Sequence, residues 1–79
     1  KKDIIRVGSN TRAIVSLVYD QEKIEAVYLQ NSTGKHIAES FILIDGRWQF
    51  ESPSPSGVYA EKSDRLIEYI KLLESSYNQ

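Results

Sequence analysis

His36 is the only histidine in the chain, and a lone imidazole could act as a general base, a metal ligand or a pH-sensitive charge. No cysteine or second histidine accompanies it. Glu39, three residues on, falls on the other side of an extended strand, because successive strand side chains alternate. The pattern reads as a histidine near a strand start, and no acid–base pair follows. Asp20 and Asp45 sit in turns, where aspartate bonds its own backbone. Glu25 and Ser40 can face each other across neighbouring strands, which alone makes no proton relay. The serines lack a Gly-x-Ser-x-Gly context. Gly8-Ser9-Asn10 lacks the spaced glycines and the lysine of a phosphate loop. The sequence therefore assigns no catalytic, cofactor-binding or metal-ligating residue.

Binding chemistry is the other possibility. Tyr19, Tyr28, Phe41, Trp48 and Phe50 could form a stacking platform for single-stranded nucleic acid, but such platforms pair aromatics with a basic groove. Their spacing places them on one sheet face, which favours core. Arg6, Arg12, Lys35 and Arg47 are scattered in sequence, and a basic patch forms only if the fold gathers them.

These residues need a scaffold, and 79 residues make one small domain. Apolar content of 41% and charged content of 27% suit a globular chain with net charge −1. That balance gives no overall nucleic-acid signature. No apolar run approaches the ~20 residues of a membrane span, and no signal peptide is visible. Without cysteine there are no disulfides, which fits a reducing compartment, and the expected location is cytoplasmic. The absence of methionine suggests a trimmed or excised chain.

The hydrophobic period changes across Ser52-Pro53-Ser54-Pro55-Ser56-Gly57, since two prolines in three positions suit neither a helix interior nor a central strand. Before it, apolar residues alternate over Ile4–Val7, Arg12–Tyr19, Ile24–Gln30, His36–Ile44 and Arg47–Phe50, with turns between. Asp45-Gly46 predicts a type I′ hairpin. After it, Leu66, Ile70, Leu73 and Tyr77 recur at helical spacing, which predicts a helix from about Val58 to about Ser76, capped by Ser56 or Ser63. The expected fold is α+β: an antiparallel meander of four to five strands over residues 4–50, a linker over 51–57, and one C-terminal helix across one face.

Hairpin parity places Val15, Leu17, Tyr19, Ile24, Ala26, Tyr28, Ile37, Phe41, Leu43, Trp48 and Phe50 on one face, which the helix is expected to cover. Glu39 shares that parity, so it lies at the rim or a bulge shifts the register before Phe41. The opposite face carries Ile14, Val18, Val27, Leu29, Ile42 and Ile44, too apolar for a face bathed in water. Leu72 lies off the helical stripe and joins them as a candidate contact. Either the sheet curls and hides both faces, or the second face pairs with its own copy, or it docks another protein. The sequence favours a non-catalytic protein-interaction or accessory domain acting through that face, with a nucleic-acid-associated regulatory module as the alternative.

Overall fold

The structure is a computed structural model, describing residues 3–52 and 57–77. Six strands run in chain order: β1 (Ile4–Val7), β2 (Thr11–Asp20), β3 (Lys23–Gln30), β4 (Lys35–Ile44), β5 (Arg47–Phe50) and β6 (Val58–Tyr59). A 3₁₀ turn over Ala60–Lys62 and the helix α1 (Ile67–Ser76) complete the chain. The fold is α+β, a meander-like sheet with one C-terminal helix. No helix among the described residues is long and apolar enough to cross a membrane.

The hairpins β1–β2, β2–β3, β3–β4 and β4–β5 are antiparallel. Asp45 and Gly46 both take positive φ, 52° and 77°, as a type I′ turn requires. Val7 then pairs in parallel with Trp48, and the Gly8 N–H donates to the Trp48 carbonyl at 2.9 Å. The first and last strands of the meander thus meet, and the sheet closes into a five-stranded barrel. Strand twist makes closure available, and closure leaves no open edge between β1 and β5.

Curling seals the aromatic face inside. Val7, Ala13, Val15, Ile24, Ala26, Tyr28, Ile37 and Phe41 are buried there, with Ile5, Trp48 and Phe50 packed against them. Tyr28 and Phe50 meet edge-on at 5.6 Å between ring centroids, and Phe41 and Phe50 at 4.9 Å.

The expected helix placement is overturned. The Trp48 and Phe50 face is the barrel interior and has no room for a helix. Helix α1 lies outside, where Leu66 and Leu73, with Tyr69 and Ile70, cover Ile14, Val27, Ala38 and Ala60. Curling and helix cover together bury the centre of both faces.

Helix α1 also starts later than expected. Along β4, strand β5 reaches only Phe41–Ile44, which leaves the first half of that edge bare. Strand β6 takes that edge, pairing Tyr59 with Ile37 and Val58 with Ala38. Residues near Val58 are therefore extended and not helical. Ser63 does not cap α1, whose N-cap is Leu66 without a side-chain bond; Ser63 instead ends the 3₁₀ turn, and its carbonyl accepts from the Leu66 N–H at 3.0 Å. The alternative cap, Ser56, lies outside the described residues.

Two irregularities in the β2–β3 ladder correct the parity of β2. Register shifts between Val15 and Leu17 and between Val18 and Asp20 turn Leu17 and Tyr19 out to solvent, and the first of them sets Val18 opposite the inward-facing Ile24 and so takes it off the outer face. The β3–β4 ladder is unbroken, so Glu39 keeps its inward parity at the barrel rim. There its carboxylate accepts from the Gly57 N–H at 2.7 Å.

Candidate functional site

His36 lies on the outer face of β4, opposite Leu29, and is buried. Its Nε2 has no hydrogen-bond partner among the described residues. Glu39 points to the other face and is engaged by Gly57, so no carboxylate orients the imidazole. No group of three or more metal-ligating side chains occurs among the described residues. Glu25 and Ser40 do face each other across β3 and β4. The Glu25 carboxylate instead accepts from the Ser16 hydroxyl at 3.0 Å and from Arg65 at 3.1 Å, which ties the start of the helical segment to the sheet.

The seven residues expected to form an apolar interaction face do not stay together. Ile14 and Val27 are 0% exposed beneath α1. They are core, because the curled sheet left their face as the only place for the helix stripe. Leu29 is half-buried beside Tyr77 in a shallow cleft. Ile42 is half-buried on β4. Val18 and Ile44 are each 48% exposed, and Leu72 on the helix is 40% exposed. Sequence parity missed Leu17 and Tyr19, whose exposure follows from the two β2 irregularities. The Leu43 N–H donates to the Glu22 carbonyl at 2.8 Å, so the β2–β3 hairpin and the end of β4 occupy the same end of the barrel. Leu17, Val18, Tyr19, Ile42 and Ile44 gather at that end.

The scattered cations converge more tightly. Arg6 stands directly opposite Arg12 across β1 and β2. The parallel pairing of Val7 with Trp48 sets Arg47 beside Arg6 on the next strand. Arg12, Arg6 and Arg47 therefore form a row on the outer face of three neighbouring strands. At about 4.8 Å between strands, the backbone positions span roughly 10 Å. Three adjoining clefts share Arg6. One is lined by Arg12 and Ser76, one by Arg12, Asn31 and Tyr77, and one by Ser9, Asn10, Arg47 and Trp48. No acidic residue lines any of them. Lys35 is not part of the row; its ammonium sits 3.9 Å from Glu61 and over the Tyr59 ring.

Arg6 donates to Asn10 Oδ1 at 2.8 Å, which holds the β1–β2 turn against the row. Arg12 donates to the Ser76 carbonyl at 2.7 Å and lies over the Tyr77 ring at 5.6 Å. A cation at the last carbonyls of a helix complements its dipole. Burial pushes the Tyr77 phenol above its usual range, the nearby Arg12 charge pulls it back, and Glu74 adds to the rise. Lys23, Lys35 and Arg65 are paired with nearby carboxylates. Lys23 pairs with Glu51 at 2.8 Å, whose hydrogen bond and charge hold that ammonium above its ordinary range. Arg65 pairs with Glu25. Arg6, Arg12 and Arg47 have no carboxylate partner among the described residues. Comparison with known proteins finds no matching family, no matching curated protein and no matching solved structure.

Proposed function

We propose that the chain is a non-catalytic accessory domain that docks protein through the part of the second sheet face its helix leaves open. The supporting observation is the β2–β3 hairpin end, where Leu17 and Ile44 lie on that face 42% and 48% exposed, and Val18 and Tyr19 beside them are 48% and 52% exposed. Burying one large aliphatic side chain contributes about 1.5–3 kcal/mol, so several left in water at one end of so small a barrel give a partner much to gain. Sedimentation from micromolar to millimolar concentration tests self-association. The expected result is a reversible dimer that Val18→Asp and Ile44→Asp abolish while leaving the fold intact. A monomer throughout removes self-association. A monomer whose amide exchange at residues 17–20 and 42–44 is also unaffected by those variants leaves the hairpin end without a docking role.

A second reading, a nucleic-acid-associated module, is supported by the carboxylate-free row of Arg6, Arg12 and Arg47. It is a separate surface and stands or falls separately.

A further inference from the structure

We propose that the Arg12–Arg6–Arg47 row grips the phosphates of a single-stranded nucleic acid laid across β2, β1 and β5. It rests on the second of the two readings and not on protein docking.

Like charges directly opposite across a sheet destabilise it. The fold nevertheless puts Arg6 against Arg12 and adds Arg47 alongside. The three ion pairs seen among the described residues all lie elsewhere, so no carboxylate side chain among those residues relieves the repulsion in the row. An anion with more than one charged centre would relieve it. Arg12 caps the Ser76 carbonyl and Arg6 holds Asn10 of the β1–β2 turn, and neither contact explains Arg47 beside them. Arg6 and Arg47 are exposed.

The surroundings favour a phosphodiester chain over a small anion. The clefts are open and adjoining, suiting a ligand that crosses several strands. Ser9, Asn10, Thr11 and Asn31 line them and offer neutral donors to phosphate or sugar. Tyr77 lines the cleft beside Arg12 and places an aromatic ring at that end of the row, while Trp48 backs the cleft beside Arg47 from the barrel side of β5. Bases of a single strand are free to stack on such a ring, and those of a duplex are not.

The test is fluorescence anisotropy of a labelled single-stranded oligonucleotide titrated with the protein at several salt concentrations. Trp48 is the only tryptophan and its own emission is a second readout. Two to three phosphate contacts on a single strand give a salt slope of about −1.4 to −2.1, or a 7- to 18-fold loss of affinity between about 50 and 200 mM salt. The Arg6→Gln, Arg47→Gln double variant should reduce that loss to about 3-fold or less and remove the Trp48 response. If the double variant fails to fold, Arg47→Gln alone carries the test, with the slope expected to fall by about 0.7. Lys62→Gln, the same charge change away from the row, should bind like the parent. The proposal is overturned by absence of binding at about 50 mM salt, by an unchanged slope in the variants, or by equal loss with Lys62→Gln. Tighter binding of a duplex, or equal competition by polyglutamate, would also overturn it.

Discussion

Gly57→Ala should cost this domain more than most core truncations, although Gly57 is neither buried nor in a positive-φ turn. A methyl group added there would collide with the Ala38 carbonyl oxygen and lie 2.8 Å from Ile37 Cγ2 and 2.9 Å from Glu39 Oε2. The first obstacle is β4 backbone, fixed by its ladder to β3, so the chain at residue 57 must lift instead. Two things are then lost. One is the 2.7 Å bond from the Gly57 N–H to the Glu39 carboxylate, charge-assisted and worth roughly 1.5–3 kcal/mol. The other is the pairing of Val58 and Tyr59 with Ala38 and Ile37, at roughly 0.5–1.5 kcal/mol per hydrogen bond. Alanine restricts the unfolded chain and returns about 0.4–1 kcal/mol. The balance is a loss of about 2–4 kcal/mol, from a total of about 4–12 kcal/mol for a domain this size.

Urea unfolding followed by far-ultraviolet circular dichroism reads this directly. The midpoint should fall with the slope unchanged, because the surface exposed on unfolding stays the same. The thermal midpoint should drop by roughly 10–20 °C. Glu39→Gln keeps an acceptor but removes its charge, and should lose about 1 kcal/mol. A Gly57→Ala shift below about 4 °C would refute the reasoning, since it would mean that β6 is not seated on β4 as described.

Two further predictions test the layers. Leu73→Ala, at the fully buried position on the inner side of α1, should destabilise by roughly 2–5 kcal/mol, and a neutral result in urea melts would displace the helix from Ile14 and Val27. Phe41→Ala should cost more than Trp48→Ala, the reverse of expectation from ring size, because Phe41 is 0% exposed in the barrel and Trp48 is only half-buried. The last concerns alkali. Burial, and then the Glu39 charge, raise the Tyr28 phenol above its usual pKa near 10. A raised folded value means the unfolded chain gives up its proton first, so this contribution is intact below the unfolded pKa and is lost as pH rises through the folded one. Urea midpoints should fall as pH rises past about 10, and Tyr28→Phe should flatten that fall; parallel curves for the two proteins would remove Tyr28 as the cause.

The strands of the meander and the β4–β5 register were readable because their determinants are local. Alternation marks the strands, and Asp45-Gly46 fixes the β4–β5 pairing to the residue. The aromatic set Tyr28, Phe41 and Phe50 was readable as one cluster for the same reason. What surrounds that cluster was not. Whether Val7 reaches Trp48 depends on twist accumulated over five strands, and no single residue encodes it. Once that contact forms, the inside and outside of the sheet are decided, and the helix must take the face that parity had left over. Leu17 and Tyr19 were misplaced because a bulge leaves no mark in a sequence that continues to alternate. The helix start was misread because Val58 and Tyr59 fit a helical stripe as well as a strand, and the bare edge of β4 decides between them. Arg6 facing Arg12 follows from the short β1–β2 turn, but Arg47 joins them only through barrel closure.

Closure therefore links the core to the charged surface. The contact that seals Trp48 against Val7 is the same one that brings Arg47 beside Arg6. A sheet left open would hold these two arginines on opposite edges, separated by three strands and unable to meet one ligand. Helix α1 adds the third member, because its last carbonyl at Ser76 and the Tyr77 ring hold Arg12 in the row. The charge arrangement is thus a consequence of two packing events, and each can be perturbed without touching an arginine. Loosening α1 with Leu73→Ala should disorder Arg12 while leaving Arg6 and Arg47 adjacent. Weakening the β1–β5 seam should separate Arg47 from Arg6 while Arg12 stays under the helix end. If the row acts as one surface, its affinity for anions tracks the integrity of the barrel seam more closely than that of the helix.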